Sequence, residues 1–161
     1  MADHEGKPDA GGMSFAIVAS RFNDFIVDNL VQGATDQLIE LGTSKDAIQL
    51  YQVPGAFEIP GVARKLIDVG SFDGIICLGA VIRGATPHFD YVAGESAREI
   101  AHLAARSPVP VIYGVLTTDD VEQARERARP NAENKGTEAA IAAVEMAALY
   151  AELKRSLPPD A

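Results

Sequence analysis

The 161 residues carry 14 Lys and Arg against 23 Asp and Glu, a formal charge of −9, and 47% of them are hydrophobic. That length suits one domain with a sizeable core, and the composition excludes a disordered chain. The acidic balance argues against broad contact with nucleic acid or an anionic membrane, both of which need a basic face. The single cysteine, Cys77, excludes an intrachain disulfide framework and a multi-cysteine metal site, and fits a reducing cytoplasm. No apolar run reaches the roughly 18 residues of a membrane span, and the polar N-terminus has no secretory h-region.

Residues 1–12, with three Gly, one Pro and four charged side chains, read as a flexible arm. A single domain is expected over residues 13–157, followed by a short Pro-containing tail at 158–161. Four largely apolar runs then recur along the chain: Phe15–Ser20, Ile48–Val53, Gly74–Ile82 and Val109–Thr117. They lack in/out alternation, the pattern of parallel strands buried on both faces. Helical stripes separate them. Ile26, Leu30, Val31, Ala34, Leu38 and Leu41 form one, stopped by Gly42. Ile59, Val62, Ala63, Leu66 and Ile67 form another, stopped by Gly70. Tyr91 to Ala105 reads as a third helix, Asp119 to Arg129 as a short charged one, and Lys135 to Leu153 as a long Ala-rich one. Strands alternating with helices predict an α/β fold: a three-layer αβα sandwich with a flavodoxin-like four-stranded parallel sheet and helices on both faces.

In such sheets ligands bind beyond the carboxyl ends of the strands, which directs attention to four segments. Arg21-Phe22-Asn23 follows the first strand; the Phe22 ring either staples the next helix or stays exposed to stack on a flat heterocycle. Pro54-Gly55-Ala56-Phe57-Glu58 follows the second, where Glu58 serves the helix dipole, a ligand hydroxyl, or both. Gly84-Ala85-Thr86 follows the third; its N–H groups and the Thr86 hydroxyl suit an anion, although no P-loop pattern is present. His88 sits at the mouth of the predicted cleft, and imidazole titrates where proton transfer near neutral pH needs it. The histidine has no Cys or Ser nucleophile at a recognisable spacing. Zinc would need further ligands, and His4 and His102 are misplaced for that. Tyr113 lies in the fourth strand. Arg125, Arg127 and Arg129 fan around their helix beside Glu122 and Glu126, and one of them is available as a phosphate fork. Lys135 opens a helix against the dipole preference, a misfit that either marks a functional lysine or reflects mere exposure. Cys77, among Ile75, Ile76 and Leu78, reads as a buried inert thiol.

Several segments together resemble the lumazine synthase (6,7-dimethyl-8-ribityllumazine synthase) family over about residues 14 to 155. They are Arg21-Phe22-Asn23, Val53 through Pro60, the run Gly79-Ala80-Val81-Ile82-Arg83-Gly84-Ala85-Thr86-Pro87-His88-Phe89-Asp90-Tyr91-Val92, Gly114 through Thr118, Asn134-Lys135-Gly136 and Glu145-Met146. The resemblance implies condensation of 5-amino-6-(D-ribitylamino)uracil with 3,4-dihydroxy-2-butanone 4-phosphate, the penultimate step of riboflavin biosynthesis, with no metal or organic cofactor. It implies that Phe22 and Asn23 lie at the pyrimidine pocket, with the Phe22 ring stacked on the pyrimidine, and that Ala56, Phe57 and Glu58 hold the ribityl chain. Ala80, Val81 and Ile82 would meet the ring edge through their backbone, and Ala85, Thr86 and Arg127 would bind phosphate. His88 matches the proton-transferring residue, Lys135 would reach the pyrimidine carbonyl region, and Tyr113 stands where many relatives have Phe.

The resemblance further implies a homopentamer whose sites lie between subunits, and riboflavin synthase as a partner. Many relatives form sixty-subunit icosahedra with a Gly/Lys-rich turn between the last two helices. This chain has Arg129-Pro130-Asn131-Ala132-Glu133 there, which leaves the 60-mer open. The alternative reading is a non-catalytic flavin- or lumazine-binding or shell-forming protein of the same fold.

Overall fold

The computed structural model describes residues 1–157, so the tail assigned to 158–161 lies outside the described residues. Four strands, β1 (Phe15–Ser20), β2 (Ile48–Val53), β3 (Gly74–Ile82) and β4 (Val111–Thr118), form one parallel sheet in the order β2-β1-β3-β4. The first three match the apolar runs residue for residue. The fourth begins two residues later than its run, because Pro110 has no N–H for the ladder; its carbonyl instead accepts from the Ile75 N–H at 2.9 Å.

Among the described residues, five α-helices connect and cover the strands: α1 (Asp24–Glu40), α2 (Ile59–Val69), α3 (His88–Arg106), α4 (Val121–Arg127) and α5 (Lys135–Ser156). Helices α1, α4 and α5 pack on one face, where Ile26, Leu30, Ala124, Ala140 and Val144 meet Ile17, Ile76 and Leu78 of the sheet. Helices α2 and α3 pack on the other, with Ile59, Ala63 and Ile100 against Val18, Ile75 and Cys77. This is the αβα sandwich that the alternation of strands and helices requires. Full burial on both faces holds for the inner strands β1 and β3, apart from the half-buried Ile82 at the end of β3, but not for β2 and β4. Those two lie at the sheet edges, where the helix layers end, so Leu50 and Tyr113 remain exposed.

Burial pushes the Cys77 thiol up to about 12. Helix α5 comes so close to α1 that a Cβ on Gly136 would stand 1.9 Å from the Leu30 carbonyl oxygen. The two outer stops behave as expected of glycine: Gly42 and Gly70 adopt φ of 112° and 73° beyond the ends of α1 and α2.

Residues 1–12 contain no helix or strand, yet the segment expected to be flexible is laid along the body of the domain. Ala10 is fully buried in the α1–α5 core and its N–H donates to the Leu41 carbonyl at 2.8 Å. Gly6 touches the α5 backbone at Glu145, a contact only a residue without a Cβ can make. His4 Nδ1 lies 2.6 Å from Glu152 Oε1. Composition points to freedom here, but the small residues also permit this close approach.

Candidate functional site

The strand order reverses beside β1, so the crevice beyond the carboxyl ends of β1 and β3 is the place where the fold leaves room for a ligand. A cleft of about 650 Å³ occupies it. Phe22 and Asn23 enter it from the β1–α1 turn, Pro54 to Glu58 from the β2–α2 turn, and Ala80 to Ile82 from the end of β3. Gly84, Thr86 and His88 close the remaining side, and Phe89, Tyr91 and Val92 continue that wall along α3.

Local chemistry fixes these turns. Asn23 is, among the described residues, the one non-glycine in the left-handed region, with φ 60° and ψ 44°. Asn tolerates this conformation better than most residues. Its side-chain amide donates to the Ala80 carbonyl at 2.8 Å, tying the turn to β3. The Arg21 and Phe22 N–H groups donate to the carbonyls of Val53 and Pro54 at 2.8 and 3.0 Å, tying it to β2. The Phe22 ring is thereby left 72% exposed, and Phe57 is 59% exposed. Neither staples a helix; both present an apolar face over the cleft, as a planar ligand requires.

The Gly55 N–H donates to Glu58 Oε2 at 3.0 Å, the glutamate half of a capping box, just before α2, in whose first turn Pro60 sits. Glu58 therefore serves the helix start and lines the cleft at once. Helix α3 begins three residues earlier than its apolar pattern indicates, because Pro87 at φ −70° is already set for a helix entry. His88 thus occupies the first position of a 19-residue helix rather than a loop. The unpaired N–H groups of that turn favour negative charge nearby. Thr86 lines the cleft, whereas the side chain of Ala85 is exposed and does not.

Tyr113, Arg127 and Lys135 lie elsewhere. They line a second hollow of about 400 Å³ beside the β4 edge, walled by Ile112 to Thr117 and by Glu138, Ala139 and Ala142 of α5. The two hollows share no lining residue. Arg127 donates through Nη1 to the Gln123 carbonyl at 2.9 Å. Lys135 Nζ pairs with Glu138 at 2.8 Å, which offsets its unfavourable position at a helix start. Asn134 anchors both: fully buried, it accepts from the Gly136 and Thr137 N–H groups and donates to the carbonyls of Asn29, Ala128 and Arg129. Partial burial raises the Tyr113 phenol above its usual range. Of the other two arginines, Arg125 lies over the Phe25 ring at 5.4 Å and Arg129 faces Glu122 at 3.6 Å, so Arg127 is the one directed into a hollow.

Residue reasoning did not single out several residues that line or support the two hollows. Tyr91 stands one helical turn after His88, a spacing that places both on one face. Glu138 follows Lys135 at the same spacing, and Asn immediately before a helical stripe is a preferred cap. Arg83 is raised above its ordinary range chiefly by its hydrogen bond to Asp119. Among the described residues, no group of three His, Cys, Asp or Glu side chains is placed to hold a metal, and no helix is long and apolar enough to cross a membrane.

A family model described as 6,7-dimethyl-8-ribityllumazine synthase matches residues 12–151. The 6,7-dimethyl-8-ribityllumazine synthase of Nitratidesulfovibrio vulgaris is 55% identical over 149 residues, covering 92% of this chain and 96% of that protein. The protein of the same name from Clostridium kluyveri is 51% identical over 154 residues, covering 96% of this chain and 100% of that protein.

Proposed function

This chain belongs to the 6,7-dimethyl-8-ribityllumazine synthase family and is an enzyme of riboflavin biosynthesis, and we propose that its active site is assembled from both hollows, one contributed by each of two adjacent copies. The reaction joins 5-amino-6-(D-ribitylamino)uracil to 3,4-dihydroxy-2-butanone 4-phosphate. The observation that carries the proposal is the partition itself. Phe22, Glu58, Thr86 and His88 line one hollow and Tyr113, Arg127 and Lys135 line another, with no residue in common.

In this reading the exposed Phe22 ring stacks on the pyrimidine and Asn23 holds the turn that presents it. Ala56, Phe57 and Glu58 flank the ribityl chain, and the backbone of Ala80, Val81 and Ile82 meets the ring edge. Thr86 and the amides around Ala85 at the start of α3 receive the phosphate, with Arg127 of the neighbouring copy closing over it. Tyr113 of that copy stacks on the far side, its hydroxyl altering ribityl or water contacts where relatives have Phe. Lys135 approaches the pyrimidine carbonyl.

The substrate amine attacks the ketone and water leaves, giving an imine. Phosphate is then eliminated, the enol tautomerises, and the second amine closes the ring with loss of a second water. Holding two substrates together supplies much of the acceleration. Arg127 and the amides stabilise the departing phosphate, and His88 moves protons between nitrogen, carbon and solvent. The assembly proposed is a homopentamer in the cytoplasm, with riboflavin synthase consuming the product. The turn at residues 129–133 gives no ground for choosing a 60-mer.

The test is turnover of the two substrates followed by lumazine fluorescence, with oligomer mass measured in the same preparation. Lumazine formation by an oligomer is the expected result. Ring binding without turnover would establish the non-catalytic carrier instead, and full activity in a monomer would refute the shared site.

A further inference from the structure

Arg83 is the last residue before the Gly84–Pro87 loop, and its side chain reaches in three directions at once. Its Nε donates to Asp119 Oδ1 at 3.1 Å, its Nη1 donates to Asp90 Oδ1 at 3.3 Å, and the guanidinium lies 4.3 Å from the centre of the Phe89 ring. Its own N–H donates to the Thr118 carbonyl at 2.9 Å. The contacts to Asp90 and Phe89 close the intervening segment on itself, and that segment carries Gly84, Thr86 and His88. The contact to Asp119 continues further. The Asp119 N–H donates to Gln123 Oε1 at 2.8 Å, and the Gln123 carbonyl accepts from Arg127 Nη1 at 2.9 Å. Three hydrogen bonds, joined through the residues Asp119 and Gln123 themselves, therefore link Arg83, which precedes the lining residue Gly84, to the Arg127 guanidinium in the second hollow.

We propose that Arg83 is a positioning residue for the phosphate-bearing substrate, holding the Gly84–His88 segment of its own subunit's site and, through Asp119 and Gln123, the Arg127 that its subunit lends to the neighbouring site. The proposal rests on the assignment of phosphate to Thr86 and Arg127 made above. Both carboxylates engage the Arg83 charge, so its role is geometric. A planar fork that bridges two acids while stacking on an aromatic ring cannot be reproduced by an ammonium. Exposed ion pairs contribute little to stability, so the effect belongs in substrate saturation rather than in melting temperature.

The test compares Arg83→Gln, Arg83→Lys, Asp119→Asn and the Arg83→Gln/Asp119→Asn pair in the full chain. Steady-state kinetics are run for each substrate, and calorimetry measures inorganic phosphate. For Arg83→Gln, KM for the butanone phosphate should rise about tenfold, the weight of one charge-assisted hydrogen bond. KM for the diamine should stay within about twofold, and phosphate affinity should fall in parallel. Arg83→Lys should recover only part of the loss, and the double variant should be no worse than Arg83→Gln alone, because both lesions cut one chain. An unchanged KM, full recovery in Arg83→Lys, or additive losses in the double variant would each overturn the positioning role. If Arg83→Gln does not fold, Arg83→Lys and Asp119→Asn carry the same comparison. If wild type binds phosphate and Arg83→Gln does not, yet no lumazine forms, the enzymatic reading fails while the positioning role stands.

Discussion

The partition of the site predicts that two crippled variants repair one another. Take His88→Ala, which damages the first hollow, and Arg127→Ala, which damages the second. Loss of a general acid–base typically costs about 10²–10⁴ in rate. Among the described residues Arg127 spends one N–H on the Gln123 carbonyl, which leaves the rest of its five-donor fork to serve an anion in the proposed site. Losing a charge-assisted bond to phosphate then costs about 10- to 100-fold in kcat/KM. Below saturation with butanone phosphate, each variant alone should show at most about a tenth of wild-type activity. Co-expressed at equal levels and mixed at random within a ring, they leave a site intact only where one copy keeps His88 and its neighbour keeps Arg127. Each condition is met half the time, so about one quarter of the sites are wild type in a closed heterologous ring. Differently tagged chains purified through both tags, checked by mass and assayed by lumazine fluorescence, give the measurement. Activity near one quarter, above either parent, is expected. Mixed oligomers no more active than the mean of the parents would place both halves in a single subunit and refute the reasoning.

Three further outcomes follow from particular contacts. His88→Ala on its own should lower kcat by about 10²–10⁴ with intact folding by circular dichroism; wild-type turnover would remove the imidazole from the mechanism. Gly136→Ala would drive a Cβ into the Leu30 carbonyl oxygen, so the α1–α5 seam must open. A loss of about 3 kcal/mol or more is expected, a drop of about 10 °C in melting temperature, and an unchanged melt would disprove that contact. Cys77, raised from 9.0 to about 12 by burial, binds its proton more tightly in the folded chain than in the unfolded one. Its contribution is therefore fully present below pH 9.0 and declines as pH rises toward 12. The thiol should ignore disulfide reagents at neutral pH until denaturant is added, and Cys77→Ala should flatten this part of the alkaline stability profile.

The strands were legible because an inner parallel strand needs apolar residues on both faces, and such runs stand out in any sequence. Pro110 shows the limit of that rule: side-chain polarity admits Val109 and Pro110 to the run, but the ladder needs an N–H that Pro110 lacks. The location of the first hollow was equally legible, since it follows from strand order and the turn residues. Long-range pairings were not. Asn23 reaches Ala80, 57 residues away, and Arg83 reaches Asp119, 36 residues away. Neither leaves a periodic trace. The residue pattern places His88 before the third helix because it starts that helix at Tyr91, whereas Phe89 already packs against the core and the helix opens at His88.

The chain's excess of acids also acquires a structural meaning. A net charge of −9 repels phosphorylated substrates at long range, so binding must come from groups acting at contact distance. Near the α3 turn, Arg83 is already committed to Asp90 and Asp119. In the second hollow, Lys135 is committed to Glu138, while Arg127 has, among the described residues, a single backbone carbonyl as partner. Of Arg83, Lys135 and Arg127, Arg127 therefore retains the most unshared charge, and it lines the hollow that does not hold Thr86 and His88. A dianionic substrate bound in the first hollow alone would meet helix amides and a hydroxyl, with no Arg or Lys among the residues that line it. In the proposed assembly a second copy would supply the Arg127 guanidinium without changing the charge of either subunit. Assembly and anion binding would then be coupled, and each should strengthen the other.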